Sequence, residues 1–171
     1  LFSSQAGFMT ALNGVYIELN TNELYGRNLT AGALDVMGQY YSVASSSHAF
    51  YNYGGLVYTG NDEKALFDNM WQKCYAVIAC CNTIIEKCDE NKAGLSPVWR
   101  GSIKGEALAL RAMLHFDMLR LFGPLTSELD KESIPYQTNS DQTVTPLLSG
   151  SEVVGLILDD LKNAVGLLKD T

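Results

Sequence analysis

Two long stretches of helical periodicity, residues 62–91 and 97–122, are joined by a turn too short to let them part. In the first, Phe67, Trp71, Cys74, Ile78, Cys81, Ile85 and Cys88 alternate in steps of four and three. Side chains so spaced share one face of a helix and form a stripe that needs a partner. Asn61 or Asp62 can cap this helix, and Asp62 and Glu63 suit the positive end of its dipole. Gly94 lies just past its expected end near Asn91. The second run opens with Ser96 as N-cap and Pro97 at the first helical position, and Gly123-Pro124 stops it. Trp99, Ile103, Leu108, Leu110, Met113, Leu114, Phe116, Met118, Leu119, Leu121 and Phe122 leave it apolar on most sides, which predicts a central place. Long helices with so short a link are antiparallel neighbours.

The remaining segments extend an all-α reading. A first helix is expected from about Ser4 to Leu19, with Phe8, Leu12, Val15, Tyr16 and Leu19 as its apolar side. Asn20, Asn22 and Gly26 break the pattern. A shorter helix is expected over Leu34–Tyr41, carrying Val36, Met37 and Tyr40. Residues 44–61 read as loop, rich in Gly, Ser and Asn. Residues 124–150 hold three of the four prolines and read as a long irregular segment, which in a compact domain needs a functional or packing reason. A last helix starts near Ser151 and Glu152, with a stripe of Val154, Ile157, Leu158, Leu161, Val165 and Leu168. Pairs of helices of this size suggest tetratricopeptide-like hairpins, although no strict repeat of about 34 residues is visible.

Bulk properties narrow the functional classes. A length of 171 residues suffices for one domain with a core. The net charge of -7 argues against nucleic acid, which calls for a basic surface. No segment reaches the roughly 20 apolar residues that span a bilayer. The chain begins at Leu1 without an initiator Met, so any export signal or lipid anchor is expected upstream. Cys74, Cys80, Cys81 and Cys88 all fall within one expected helix. Residues seven apart on a helix are separated by about 10 Å, whereas a disulfide needs Cα atoms within about 7 Å. The same spacing prevents Cys74, Cys81 and Cys88 from converging on one zinc ion. They read as small core apolar residues.

The run from Gly105 to Gly123, with Gly105-Glu106-Ala107, Leu110-Arg111-Ala112, Phe116, Arg120 and Phe122-Gly123, resembles the signature helix of the SusD (RagB/SusD) family. Four further blocks agree in order: Asn13-Gly14-Val15-Tyr16 within the first helix; Trp71, Tyr75, Ile78 and Asn82; Ile134-Pro135-Tyr136; and Glu152-Val153 with Ile157, Asp160-Leu161 and Ala164. Residues 1–171 thus resemble the N-terminal helical domain of that family, whose members are usually much longer. The resemblance implies an all-α, tetratricopeptide-like fold and a lipid-anchored protein on the outer membrane of Bacteroidetes-type bacteria. It also implies a partner, a SusC-like TonB-dependent transporter, and an oligosaccharide or other nutrient as ligand. No cofactor and no catalysis are implied.

Single residues fit this reading. Arg111 and Arg120 on an apolar helix are expected to pair with carboxylates and fix helix docking, and Asp117 is three residues from Arg120. His115 and Asp117 point about 200° apart on a helix and cannot act as an acid–base pair. Asp159 and Asp160 are expected on a solvated helix face, without a calcium loop. The expected ligand contacts are Tyr51, Asn52, Tyr53, Tyr58 and Asn61, whose rings can stack on sugars while hydroxyls and amides hydrogen-bond. A scaffold that docks on the transporter, with ligand binding left to a C-terminal part, is the rival expectation.

Overall fold

A computed structural model describes residues 1–141 and 143–168; the ends of the domain and last-helix expectations, at 169–171, lie outside it. The described chain is helical: α1 (Gln5–Leu19), α2 (Ala33–Met37), α3 (Tyr51–Gly54), α4 (Asn61–Glu90), α5 (Pro97–Phe122), a 3-10 turn at Thr126–Glu128, and α6 (Gly150–Leu168). Among the described residues the only strand-like pairing is one isolated antiparallel bridge between Glu132 and Ser149. The chain forms two compact units, one of residues 1–15 and 76–171, the other of residues 16–75. The boundary falls within α1 and α4.

In the first unit, α4 and α5 are antiparallel. Asn82 bonds Arg111, and Asp89 pairs with Lys104, so positions rise on one helix as they fall on the other. The turn between them uses left-handed backbone at Asn91 (φ 44°) and Gly94 (φ 64°). Asn91 ties it off, its Oδ1 accepting from Leu95 N at 2.8 Å. Asn tolerates this conformation because its short polar side chain bonds locally. Ser96 caps α5 by accepting from Trp99 N at 3.4 Å. Helix α6 runs antiparallel to α5, as Arg111 meets Asp160 while Gly105 lies against Ala164. A Cβ at Gly105 would sit 3.3 Å from the Ala164 carbonyl and 2.8 Å from Leu168 Cγ, so the glycine permits the close approach. Ser149 and Glu152 form a reciprocal cap at the start of α6: Ser149 N donates to Glu152 Oε2 at 2.9 Å, and Glu152 N to Ser149 Oγ at 3.3 Å.

The burial pattern corrects several apolar faces. Cys74, Ile78, Cys81 and Cys88 are fully buried on α4, but Phe67 and Trp71 are half-buried, and Met70, Val77 and Ile84 are buried beside the expected stripe. On α5, Ile103, Leu114 and Met118 are buried, whereas Trp99, Met113 and Phe116 are exposed. On α6 Ile157 is buried as expected, but its buried companions are Gly150, Val153, Asp160 and Ala164, the last three one step round from Val154, Leu161 and Val165, and Leu158, Leu161 and Val165 are exposed. The cause is Asp160: its pairing with Arg111 turns that side of the helix inward. Asp160 therefore does not lie on a solvated face, although Asp159 does, within 3.5 Å of Lys162. Tyr16 is exposed rather than part of the buried face of α1.

The irregular segment after α5 has a packing reason. Asn82 Nδ2 donates to the carbonyls of Gln137 (3.1 Å) and Asn139 (2.8 Å), and Arg111 Nη1 donates to Asn82 Oδ1 at 2.8 Å. Arg111 clasps Asp160 with two bonds of 2.7 Å, and Tyr136 donates to Asp160 Oδ2 at 2.6 Å. His115 stacks on Tyr136 with ring centroids 3.9 Å apart, and its Nε2 accepts from Gln137 N at 3.0 Å. Its Nδ1 therefore carries the proton and donates to Arg111 O at 2.9 Å. Burial drives the His115 pKa down to about 4, with the Arg111 charge adding to the effect. Burial pulls the Arg111 pKa down, but the Asp160 carboxylate outweighs it and the net shift is upward. Glu86 adds two bonds, to Ser140 N (2.7 Å) and Ser140 Oγ (2.6 Å). No buried side-chain polar atom among the described residues lacks a partner.

Candidate functional site

The second unit carries the candidate ligand residues. Helix α2 is shorter than the expected Leu34–Tyr41 because Gly38 and Gln39 turn the chain, Gln39 adopting left-handed backbone (φ 62°). Tyr40 and Tyr41, cut loose from the helix, are exposed. The expected loop over 44–61 contains a helical turn, Tyr51–Gly54, followed by left-handed backbone at Leu56 (φ 54°). Gln39 Nε2 donates to the Gly54 carbonyl at 2.8 Å and ties the end of α2 to this turn. Val57 N donates to Asn52 O at 2.9 Å and folds the chain back over it.

These turns enclose a hollow of about 380 Å³, lined by Gln39, Tyr41, Ser42, Val43, Tyr51, Asn52, Gly54, Gly55 and Val57. Among the described residues no charged side chain lines it. Tyr41 is 60% exposed and Tyr51 42% exposed, so two flat rings are open to solvent at its rim. Hydroxyls and amides stand beside them, the mixture that suits a polyol with apolar C–H faces.

The structure divides the expected ligand residues. Tyr51 and Asn52 line the hollow. Tyr53 is 2% exposed and forms part of a chain of edge-on rings: Phe50 lies 5.8 Å from it and Phe67 6.1 Å. Its hydroxyl pKa is raised by burial and then by the Glu63 and Asp62 charges. Tyr58 is half-buried against Phe67, at 5.5 Å, and burial raises its pKa. Asn61 is exposed at the first turn of α4, outside the hollow's lining. Gln39, Tyr41 and Ser42 were not expected as site residues; the signal for them is the polar, doubly aromatic stretch directly after a helix stop.

The signature residues do structural work. Trp71 and Tyr75 pack with centroids 4.8 Å apart, and burial raises the Tyr75 pKa. Asn82 and Arg111 sit in the buried polar cluster. Arg120 donates to Asp117 at 2.6 Å and lies 5.3 Å over the Phe116 ring. Gly123 N closes α5 on the Leu119 carbonyl at 2.9 Å, and Glu106 is half-buried within it. Cys74, Cys81 and Cys88 are buried free thiols, and burial pushes the pKa of Cys81 up to about 12 and of Cys88 up to about 11. Among the described residues no group of His, Cys, Asp or Glu is placed to hold a metal ion. No described helix is long and apolar enough to cross a membrane.

Fold and site together define an all-helical hairpin protein with an open, uncharged aromatic hollow. The chain belongs to the SusD-like family, described as "Starch-binding associating with outer membrane", which matches residues 4–171. A SusD-like carbohydrate binding protein from Bacteroides vulgatus aligns with 99% of this chain and 37% of its own, with a TM-score of 0.78 and 26% identity. A SusD superfamily protein of the same species, 18% identical, shares the fold with a TM-score of 0.78 over 98% of this chain and 38% of its own. A SusD-like protein of Formosa agariphila is 34% identical over 96 residues, which is 55% of this chain and 17% of that protein. The chain therefore spans well under half the length of these relatives.

Proposed function

We propose that this chain is the N-terminal helical part of a longer surface protein that holds an oligosaccharide without chemistry on it. In this reading residues 1–171 form the helical domain, a lipid anchor elsewhere in the protein tethers it to the outer membrane, and a SusC-like TonB-dependent transporter receives the cargo. The observation that carries it is the hollow beside α3, where Tyr41 and Tyr51 offer open rings beside the Asn52 and Gln39 amides in a chain of a starch-binding family. Flat rings stack on sugar faces and amides bond hydroxyls, so affinity arises from shallow complementarity.

The second reading makes this chain a docking scaffold and leaves the ligand to the rest of the protein. This chain covers 36% to 39% of its solved relatives, so most of each relative lies outside the matched part, which supports the second reading. Calorimetric titration of a glycan panel separates the two. Binding by this chain supports the first reading; binding by the longer protein alone supports the second. Turnover in a general hydrolase screen would overturn both.

A further inference from the structure

The hollow has an uncharged lining, but a carboxylate lies behind it. Glu63, in the first turn of α4, is 6% exposed, and its Oε1 accepts from Asn52 Nδ2 at 2.7 Å. A carboxylate oxygen there can only accept, so the Asn52 nitrogen is the atom turned toward Glu63. Among the described residues this is the one side-chain hydrogen bond of Asn52, and it leaves the amide oxygen, on the other side of the planar group, for another donor. Gln39 is arranged in the same way: Nε2 donates to the Gly54 carbonyl, and among the described residues Oε1 has no donor. Both amides of the hollow thus have their nitrogens engaged by obligate acceptors. Among the described residues the lining holds no Lys, Arg or His to balance a negative ligand.

Resting on the glycan-holding reading above, we infer that Glu63 is the positioning and charge-selecting residue of this hollow. It holds the Asn52 amide with its oxygen free to meet a sugar hydroxyl, and its own charge discriminates against carboxylated or sulfated glycans. The ligand class is a neutral oligosaccharide. Asn52 separates Glu63 from the ligand, so an anionic substituent would stand roughly 8 Å from the carboxylate; partial screening at that range sets a preference of about fivefold. Gly60 shows how closely Glu63 is seated, since a Cβ added there would collide with Glu63 Oε2.

The test uses the full chain and a panel of neutral oligosaccharides, each paired with its counterpart oxidised at C6 to the carboxylate. The expected result is that a neutral member binds about fivefold more tightly than its oxidised partner. Glu63→Gln keeps an acceptor for Asn52 and removes the charge, so neutral binding is retained and the ratio falls toward one. Gly60→Ala keeps the charge and displaces the carboxylate. Neutral binding then weakens, and the Asn52 side-chain amide resonance shifts in the ¹⁵N spectrum, more than in Glu63→Gln. Should Glu63→Gln not fold, the wild-type ratio and the Gly60→Ala measurements still decide. An oxidised glycan bound as well as its neutral partner, a ratio unmoved by Glu63→Gln, or binding that survives Tyr51→Ala would each overturn the inference and leave the glycan-holding role standing. No binding to any panel member would overturn both.

Discussion

The two units spend their polar groups in opposite ways. In the first, Arg111, Asp160, Tyr136, His115 and Asn82 are buried or nearly so, and they answer one another across α4, α5, α6 and the segment that follows α5. In the second, Tyr41, Tyr51 and Asn52 are exposed around a hollow, and the amides keep acceptor capacity in reserve. A buried polar cluster whose members are all matched defines one arrangement of its elements. An exposed aromatic rim with unmatched oxygens adds little to folding and can bind. A charged residue on an apolar helix is thus no pointer to a site; its burial and partners decide.

Breaking the cluster should give the largest effect. Arg111→Ala leaves Asp160 buried without its counter-charge, and losing one partner of such a pair destabilises by about 3–5 kcal/mol. Denaturant melts should record that loss, and a loss under 1 kcal/mol would show the cluster to be dispensable. His115 gives the next effect. Its folded pKa, about 4, lies below the ordinary value of 6.5, so the unfolded chain takes up the proton first as pH falls. The stabilisation is complete above pH 6.5 and is lost progressively toward pH 4, an effect of about 3 kcal/mol by linkage. Melts across that window should show a slope that His115→Gln flattens.

Smaller changes sharpen the contrast. Ser149→Ala removes one half of the reciprocal cap on α6 and should cost about 1 kcal/mol, read from the melting midpoint. Tyr51→Ala should alter stability by no more than about 0.5 kcal/mol, because the residue is exposed, yet weaken glycan binding in calorimetry. A destabilisation of 2 kcal/mol or more would assign Tyr51 to the fold instead of the hollow.

Much of the helical framework is legible in the residues because its signals are local. Ser96-Pro97 marks the start of α5, and Asn91 with Gly94 marks the turn before it. The antiparallel α4–α5 pair follows from so short a link. The α6 face was not legible from apolar spacing, because Asp160 is buried by a partner 49 residues away. The same holds for His115 and Tyr136, whose stacking depends on a segment with no period of its own. The candidate site was legible only in part. Aromatic and amide chemistry pointed to Tyr51 and Asn52, but the same chemistry pointed to Tyr53 and Tyr58, which tertiary packing turns inward against Phe67. Gln39 and Tyr41 enter the hollow through a left-handed turn that no spacing rule announces.

Backbone pairing with Leu148 ends at Ile134, and from Gln137 to Ser140 helix side chains supply the main-chain partners instead, at Gln137, Asn139 and Ser140. Such an arrangement counts residues. One amino acid inserted between Tyr136 and Ser140 would bring a different main-chain group to each waiting side chain. Length variation should therefore be tolerated at 143–147, where Val144 is 97% exposed, and be refused a few positions earlier.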